Sequence, residues 1–135
     1  MTDSTHLLNL SEQVFLFNQG SLTATDIVKA HLKTIDELNP KFNSFISVDA
    51  ETAIAQASEL DKMRSDGAPL GPLSGSVIAV KDSIPTKALR TTNNSRLIED
   101  WIPEADASVV KRLRDSGAII IGKTNLNEFG WSIPS

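Results

Sequence analysis

A chain of 135 residues is one domain or part of one, long enough to remove roughly two-thirds of its unfolded surface from water. With 13 basic against 17 acidic residues the net charge is −4, and no basic run is interleaved with aromatics, so nucleic acid is not expected as a direct partner. The absence of cysteine excludes disulfides, thiolate metal sites and a cysteine nucleophile; His6 and His31 are too far apart for a local metal motif, so no metal is expected.

From the amino terminus, Met1 to His6 lacks the basic start and apolar core of a signal peptide, and no apolar run approaches the ~20 residues that cross a bilayer. A soluble, cytoplasmic chain without a membrane partner is expected. Leu7, Leu10, Val14 and Phe17 recur on one face of a helix stopped by Gly20, and are expected in the core. Thr23 followed by Asp26 reads as a capped start for a second helix. Its stripe of Ile27, Val28, Leu32, Ile35 and Leu38 runs to a stop at Asn39-Pro40, with His31 at the boundary. Phe42, Phe45, Ile46 and Val48 form an apolar connection without a definite pattern. Asp49 caps a third helix through about Arg64, with Ala53, Ala57, Leu60 and Met63 inward, ended by the turn-forming run from Ser65 to Pro69.

Gly71-Pro72 leads into the stretch that organises the chain, Gly75 to Ser83. Val77, Ile78, Ala79 and Val80 suit a strand covered on both faces, and they run straight into Lys81. Burying an unpaired ammonium costs several kcal/mol, so Lys81 must reach water, pair with an acid or lose its proton. It is either a lysine snorkelling from a strand end or a functional group. From Asp82 to Asp100 no period is sustained and threonine, asparagine and serine are dense, which predicts a long ordered loop of functional character. Trp101-Ile102-Pro103 closes it. Asp106 then caps a helix with Val109, Val110 and Leu113 inward and Lys111, Arg112 and Arg114 outward. Gly117 ends that helix before a second apolar strand, Ala118 to Ile121.

Strand, loop, helix and strand in this order make a right-handed crossover with parallel strands, which puts Lys81 at the carboxyl edge where open α/β sheets place ligands. Two strands apolar on both faces need neighbours. No further clear strand is read before Gly75 or after Gly122, so the sheet is expected to be incomplete, and Pro134-Ser135 carries no structural stop. The run Gly117 to Thr124 matches the phosphate-loop pattern, but its intervening residues read as the strand itself with the helix before it, against the order a phosphate loop requires. Nucleotide binding is therefore discounted. Lys123 is left as a surface lysine, or less favoured as a second residue lining the Lys81 edge.

Pro72 to Asp82 resembles the lysine-bearing segment of the amidase signature family of serine hydrolases. Further matches follow in order: Thr91-Thr92 with Ser95, Asp106 to Val110, Gly117-Ala118, Gly122 to Asn125, and Glu128-Phe129. The amino-terminal helices also resemble the family's start, so the likeness covers nearly the whole chain. It implies an α/β fold: the amino-terminal part of the amidase signature fold, with helices followed by a parallel strand-loop-helix-strand unit of a larger mixed sheet. Residues 1–70 are then a helical region and residues 71–135 the start of the α/β core, together one incomplete domain.

The resemblance also implies a Ser-Ser-Lys triad with Lys81 as its lysine. A serine hydroxyl needs a base, and a desolvated, neutral lysine can take its proton. The two serines of the family lie on a later glycine and serine-rich loop, and no Gly-Gly-Ser-Ser run occurs here. The isolated chain is therefore expected to be inactive. In the intact parent it belongs to an amidase that hydrolyses carboxamides through a serine acyl-enzyme, without a cofactor. The alternatives are an amidotransferase subunit that releases ammonia from glutamine, or a truncated binding or complementing module. Partners implied are a small-molecule amide and the remainder of the domain, with self-association through the open sheet also weighed. Two departures stand out: Asn93-Asn94-Ser95 replaces the usual glycine-serine ending, and Gly130-Trp131 replaces a small residue and methionine. Gly130 and Trp131 are thereby candidates for the acyl pocket, Trp131 being equally a packing residue.

Overall fold

The computed structural model describes residues 5–131, so Met1 to Ser4 and the Pro134-Ser135 end lie outside the described residues. The helices are α1 (Leu10–Asn18), α2 (Ala24–Phe42), α3 (Ala50–Ser65) and α4 (Ser108–Asp115). The strands are β1 (Phe45–Val48), β2 (Val77–Lys81) and β3 (Ile119–Thr124). They form one sheet in the order β1-β3-β2, with β2 parallel and β1 antiparallel to β3. The expected parallel crossover is present. The central strand is β3, buried along its first five residues, whereas β2 lies at an edge with Ala79 and Lys81 exposed. Of the two apolar strands only β3 is thus covered on both faces.

The strand β1 is a correction, because the residues before Gly75 do supply a third strand. Asn39 explains how the chain reaches it. Its side chain donates to the Phe45 carbonyl at 3.1 Å and accepts the Phe45 amide at 2.8 Å. With that clamp in place α2 runs through Pro40 into its last turn instead of stopping there, and ends where Asn43 turns left-handed. The start of α2 is as expected: the Thr23 hydroxyl accepts from the Asp26 amide at 2.9 Å, and Asp61 of α3 accepts the amides of Ala24 and Thr25.

The first helix is shorter than its apolar face predicts. A 3₁₀ turn covers Thr5–Leu7, and Asn9 caps α1. Leu7 is exposed and Leu10 partly so; the buried pair is Gln13 and Phe17, one helical turn apart. Gln13 serves as a polar brace: its amide nitrogen donates to the Leu8 carbonyl and meets His31, while its oxygen accepts the Val77 amide at 3.1 Å. Phe17 packs over Gly75, whose φ of 87° and lack of a side chain make that approach open to glycine.

Two clusters sandwich the sheet. Phe17, Ala24, Ile27, Val28, Ala53 and Ala57 lie with Ile119 and Ile121 on one face. Val80, Val110 and Ile120 lie on the other, joined by Ile78, Ile84, Leu89, Ala107 and Leu113. Burying a side chain such as Phe17 or Ile120 contributes about 1.5–3 kcal/mol, so the two clusters supply the main drive for folding. In α4, Val110 is buried but Val109 is exposed, and the helix is capped at Ala107 without a side-chain bond. Asp106 is used otherwise: it accepts the Lys87 amide at 2.7 Å and pairs with Arg114 at 3.2 Å, so it anchors the loop and draws Arg114 inward. No described helix is long and apolar enough to cross a membrane.

Candidate active-site edge

Alternation along β2 sends Val80 into the second cluster and Lys81 to the opposite, exposed side. Lys81 is the last residue of the strand, paired with Thr124 at the carboxyl edge of β3. The chain then dives inward, and Asp82 is fully buried. Its Oδ2 accepts both the amide of Thr92 at 2.9 Å and the hydroxyl of Thr92 at 2.6 Å, while its backbone oxygen accepts the Asn93 amide at 3.1 Å. A carboxylate one residue beyond Lys81 therefore draws the middle of the loop back to the strand end.

Residues 91–95 are in turn tied to the turn at Glu128–Gly130. The Phe129 amide donates to the Asn93 carbonyl at 2.9 Å, the Asn94 side chain to the Leu126 carbonyl at 2.7 Å, and the Ser95 hydroxyl to Glu128 at 2.7 Å. Four residues at this junction have left-handed backbones: Asn93, Asn94, Phe129 and Gly130. Such conformations cost non-glycine residues free energy and cluster where surrounding contacts impose them. A carbon added to Gly130 would stand 3.8 Å from Nζ of Lys81, so the turn lies directly beside the amine. Of the expected site residues, Lys81 and Gly130 are brought together, whereas Trp131 is 84% exposed. An open recess of about 590 Å³ borders this edge, lined in part by Asn94, Thr124 and Asn125.

Lys123 is the largest correction. It is neither a surface lysine nor a companion of Lys81 at the edge, but fully buried. Gly117 to Thr124 is the approach to β3 and the strand itself, which removes the phosphate-loop geometry. The amine donates to the Ile84 carbonyl, to Thr86 Oγ1 at 3.0 Å and to Thr91 Oγ1 at 2.9 Å, and stands 4.0 Å from Oδ1 of Asp82. Burial lowers its pKa from 10.5 to about 8, against the opposing pull of the Asp82 and Asp106 carboxylates.

A register shift explains the aim of this side chain. Ile78 pairs with Ile120 but Ala79 with Gly122, so Ile121 is an extra residue in β3. The bulge resets the alternation, and Lys123 falls on the face of Ile120 and Val80 rather than that of Ile119 and Ile121. The sequence carries two signals for Lys123 and Asp82, the polar density of Asp82 to Ser95 and a lysine one glycine beyond an apolar run. Neither reveals a bulge.

A family model described as Amidase matches residues 26–134. The chain is 40% identical over 129 residues to a glutamyl-tRNA(Gln) amidotransferase subunit from Salinispora tropica, covering 96% of this chain and 26% of that protein. It is 46% identical over 108 residues to the corresponding subunit from Trichodesmium erythraeum, covering 80% and 22%. The chain thus spans about a quarter of the length of the curated relatives it matches. Among solved structures, the native peptide amidase of Stenotrophomonas maltophilia superposes with a TM-score of 0.83 at 33% identity, over 90% of this chain and 25% of that one. A bacterial aryl acylamidase superposes with a TM-score of 0.88 at 18% identity, over 94% and 27%, a likeness of fold.

Proposed function

The chain belongs to the Amidase family, and from that premise we propose that it supplies the lysine base of an enzyme that cleaves carboxamides through a serine acyl-enzyme. The observation that carries this reading is the position of Lys81: the last residue of β2, exposed at the carboxyl edge of a parallel pair, with Gly130 against its amine. In its uncharged form Lys81 would accept the proton of a serine hydroxyl, directly or through the second serine, as that oxygen attacks the amide carbon. The same proton would pass to the leaving nitrogen when the C–N bond breaks, and water would then release the acyl group by the reverse relay. No Gly-Gly-Ser-Ser run occurs in the 135 residues, so the isolated chain is proposed to be inactive, with the amide a partner of the intact protein. Gly130 and Trp131 are proposed to border the acyl group.

The choice between the two strand-end lysines favours Lys81. The Thr86 and Thr91 hydroxyls donate their own protons to the Ile84 and Leu89 carbonyls, so towards Lys123 they act as acceptors only. With the Ile84 carbonyl they take three protons from Lys123, the inventory of an ammonium ion, and no open path leads from that fully enclosed amine to a substrate.

A second reading is favoured by the curated relatives, which are named as amidotransferase subunits. Amide cleavage is common to both readings; they differ in whether ammonia is released or delivered to a second site. In a polypeptide that adds the serine loop, Lys81→Ala should lower amide hydrolysis by at least about 1,000-fold with an unchanged melting temperature. Retained turnover removes Lys81 from the mechanism. Glutamine as the preferred amide, with ammonia consumed by an added partner, selects the amidotransferase reading. Absence of any amide cleavage in the extended polypeptide leaves the binding-module reading.

A further inference from the structure

The long loop after β2 has little regular structure of its own, apart from a 3₁₀ turn at Arg96–Ile98. Its inward-facing groups include the Ile84 carbonyl and the hydroxyls of Thr86 and Thr91, the two threonines being fully buried. The two hydroxyls spend their own protons on the Ile84 and Leu89 carbonyls, so as buried acceptors they draw donors from elsewhere in the fold, and an unmet buried polar group costs about 1–3 kcal/mol. Lys123 supplies all three from one side chain. The contacts span Ile84 to Thr91, the first half of the loop, so a single point gathers that stretch.

Asp82 completes the arrangement. Its Oδ1 has no hydrogen-bond partner and faces the ammonium at 4.0 Å, while Oδ2 is committed to Thr92. We propose that Lys123 and Asp82 form a positioning unit for the Lys81 edge, a buried ion pair that gathers the loop and, through Thr92 and Asn93, fixes the turn that sets Gly130 against Lys81. The inference rests on the amidase reading only in naming Lys81 as the group positioned. The order of contacts is Lys123 to Ile84, Thr86 and Thr91; Asp82 to Thr92 and Asn93; Asn93 to Phe129; and Gly130 to Lys81. Removing the ammonium takes the donor from both threonine oxygens, leaves the Ile84 carbonyl with only the Thr86 hydroxyl, and leaves a buried carboxylate without compensation, the costly half of a broken ion pair.

The test uses the full chain with Lys123→Met, Thr91→Val, and Asp82→Asn in the Lys123→Met background, read by amide hydrogen exchange and by trace acetylation of lysines. Lys123→Met should raise exchange at Thr92, Asn93 and Phe129 by about ten-fold or more, with less than about two-fold change at Val28 and Ile119. Acetylation of Lys81 relative to the exposed Lys29 should shift by about two-fold or more. Thr91→Val should move the same amides in the same direction by about three-fold. The double variant, freed of its uncompensated carboxylate, should return to within about three-fold of the parent. Unchanged exchange at the three loop amides, an equal rise at Val28 and Ile119, an unchanged acetylation ratio, or no recovery in the double variant would each overturn the proposal. Should Lys123→Met fail to fold, Thr91→Val carries the test, and its silence at those amides is equally decisive. None of these readouts contains turnover, so a failure of the amidase reading and a failure of this inference are separable.

Discussion

Lys81 and Lys123 occupy neighbouring strands near the same edge, yet one is exposed and the other sealed. What separates them is the partner set each strand offers. Lys81 meets a glycine and solvent, whereas Lys123 meets two threonine hydroxyls and a carbonyl that accept its three protons. The pH dependence of stability follows from the lowered pKa. Between about 8 and 10.5 the unfolded chain holds a proton at this lysine that the folded chain has released, so stability should rise with pH across that window. Below about 8 both states hold the proton, and this contribution no longer varies. Denaturant midpoints at pH 7.5 and 9.5 should differ by about 1–3 kcal/mol of stability in favour of the higher pH, and Lys123→Met should abolish the difference. A midpoint that falls with pH in the parent alone would contradict the sign.

Among the elements, those with an uninterrupted period were legible in the residues. The second and third helices carry long apolar stripes and side-chain caps at Thr23 and Asp49, and both start where that pattern puts them, although the second runs on past Pro40 to Phe42. The strand β1 was not legible, because four residues with no clear alternation carry too little signal and its order depends on Asn39 and on pairing with β3. Asp106 has a capping position in the sequence, but Lys87 and Arg114 compete for its carboxylate and win. At the site, Lys81 could be found from its place after an apolar run; the ammonium of Lys123 could not, since its orientation is set by a register shift.

The turn into β2 gives a sharper test of element packing. Gly75 needs both a positive φ and room for Phe17, whose Cβ would be 2.5 Å from an added carbon. Gly75→Ala should therefore cost about 2–4 kcal/mol, combining left-handed strain with overpacking, and a denaturation curve showing less than about 1 kcal/mol would deny the contact.

For the whole molecule, the sheet order leaves the outer sides of β1 and β2 without a neighbouring described strand. Leu97, Ile102, Val109 and Trp131 are more than half exposed. Unpaired edges and apolar surface of this kind promote association. The isolated chain should sediment with a concentration-dependent mass, and a monomer with a sharp, cooperative melt would count against that expectation. The same architecture bears on the nucleotide motif. Because Gly117 to Thr124 is built into a buried strand, ATP with magnesium should show no saturable binding by calorimetry, and tight binding would reverse that conclusion.

The extra residue at Ile121 also sets how this strand tolerates changes in length. Ile120 and Lys123 are an odd number of positions apart, yet they share a face because one residue is taken up outside the pairing. Deleting Ile121 should restore regular alternation with the amine still aimed at the loop, at the cost of one isoleucine from the helix-covered core. Inserting a residue at the same point leaves Ile120 and Lys123 four positions apart, so regular pairing keeps the amine on its face but carries it two positions past Val80, displaced from the oxygens of Ile84, Thr86 and Thr91. Shortening and lengthening are thus unequal injuries here, and the strand is expected to accept the loss of one residue far more readily than the gain of one.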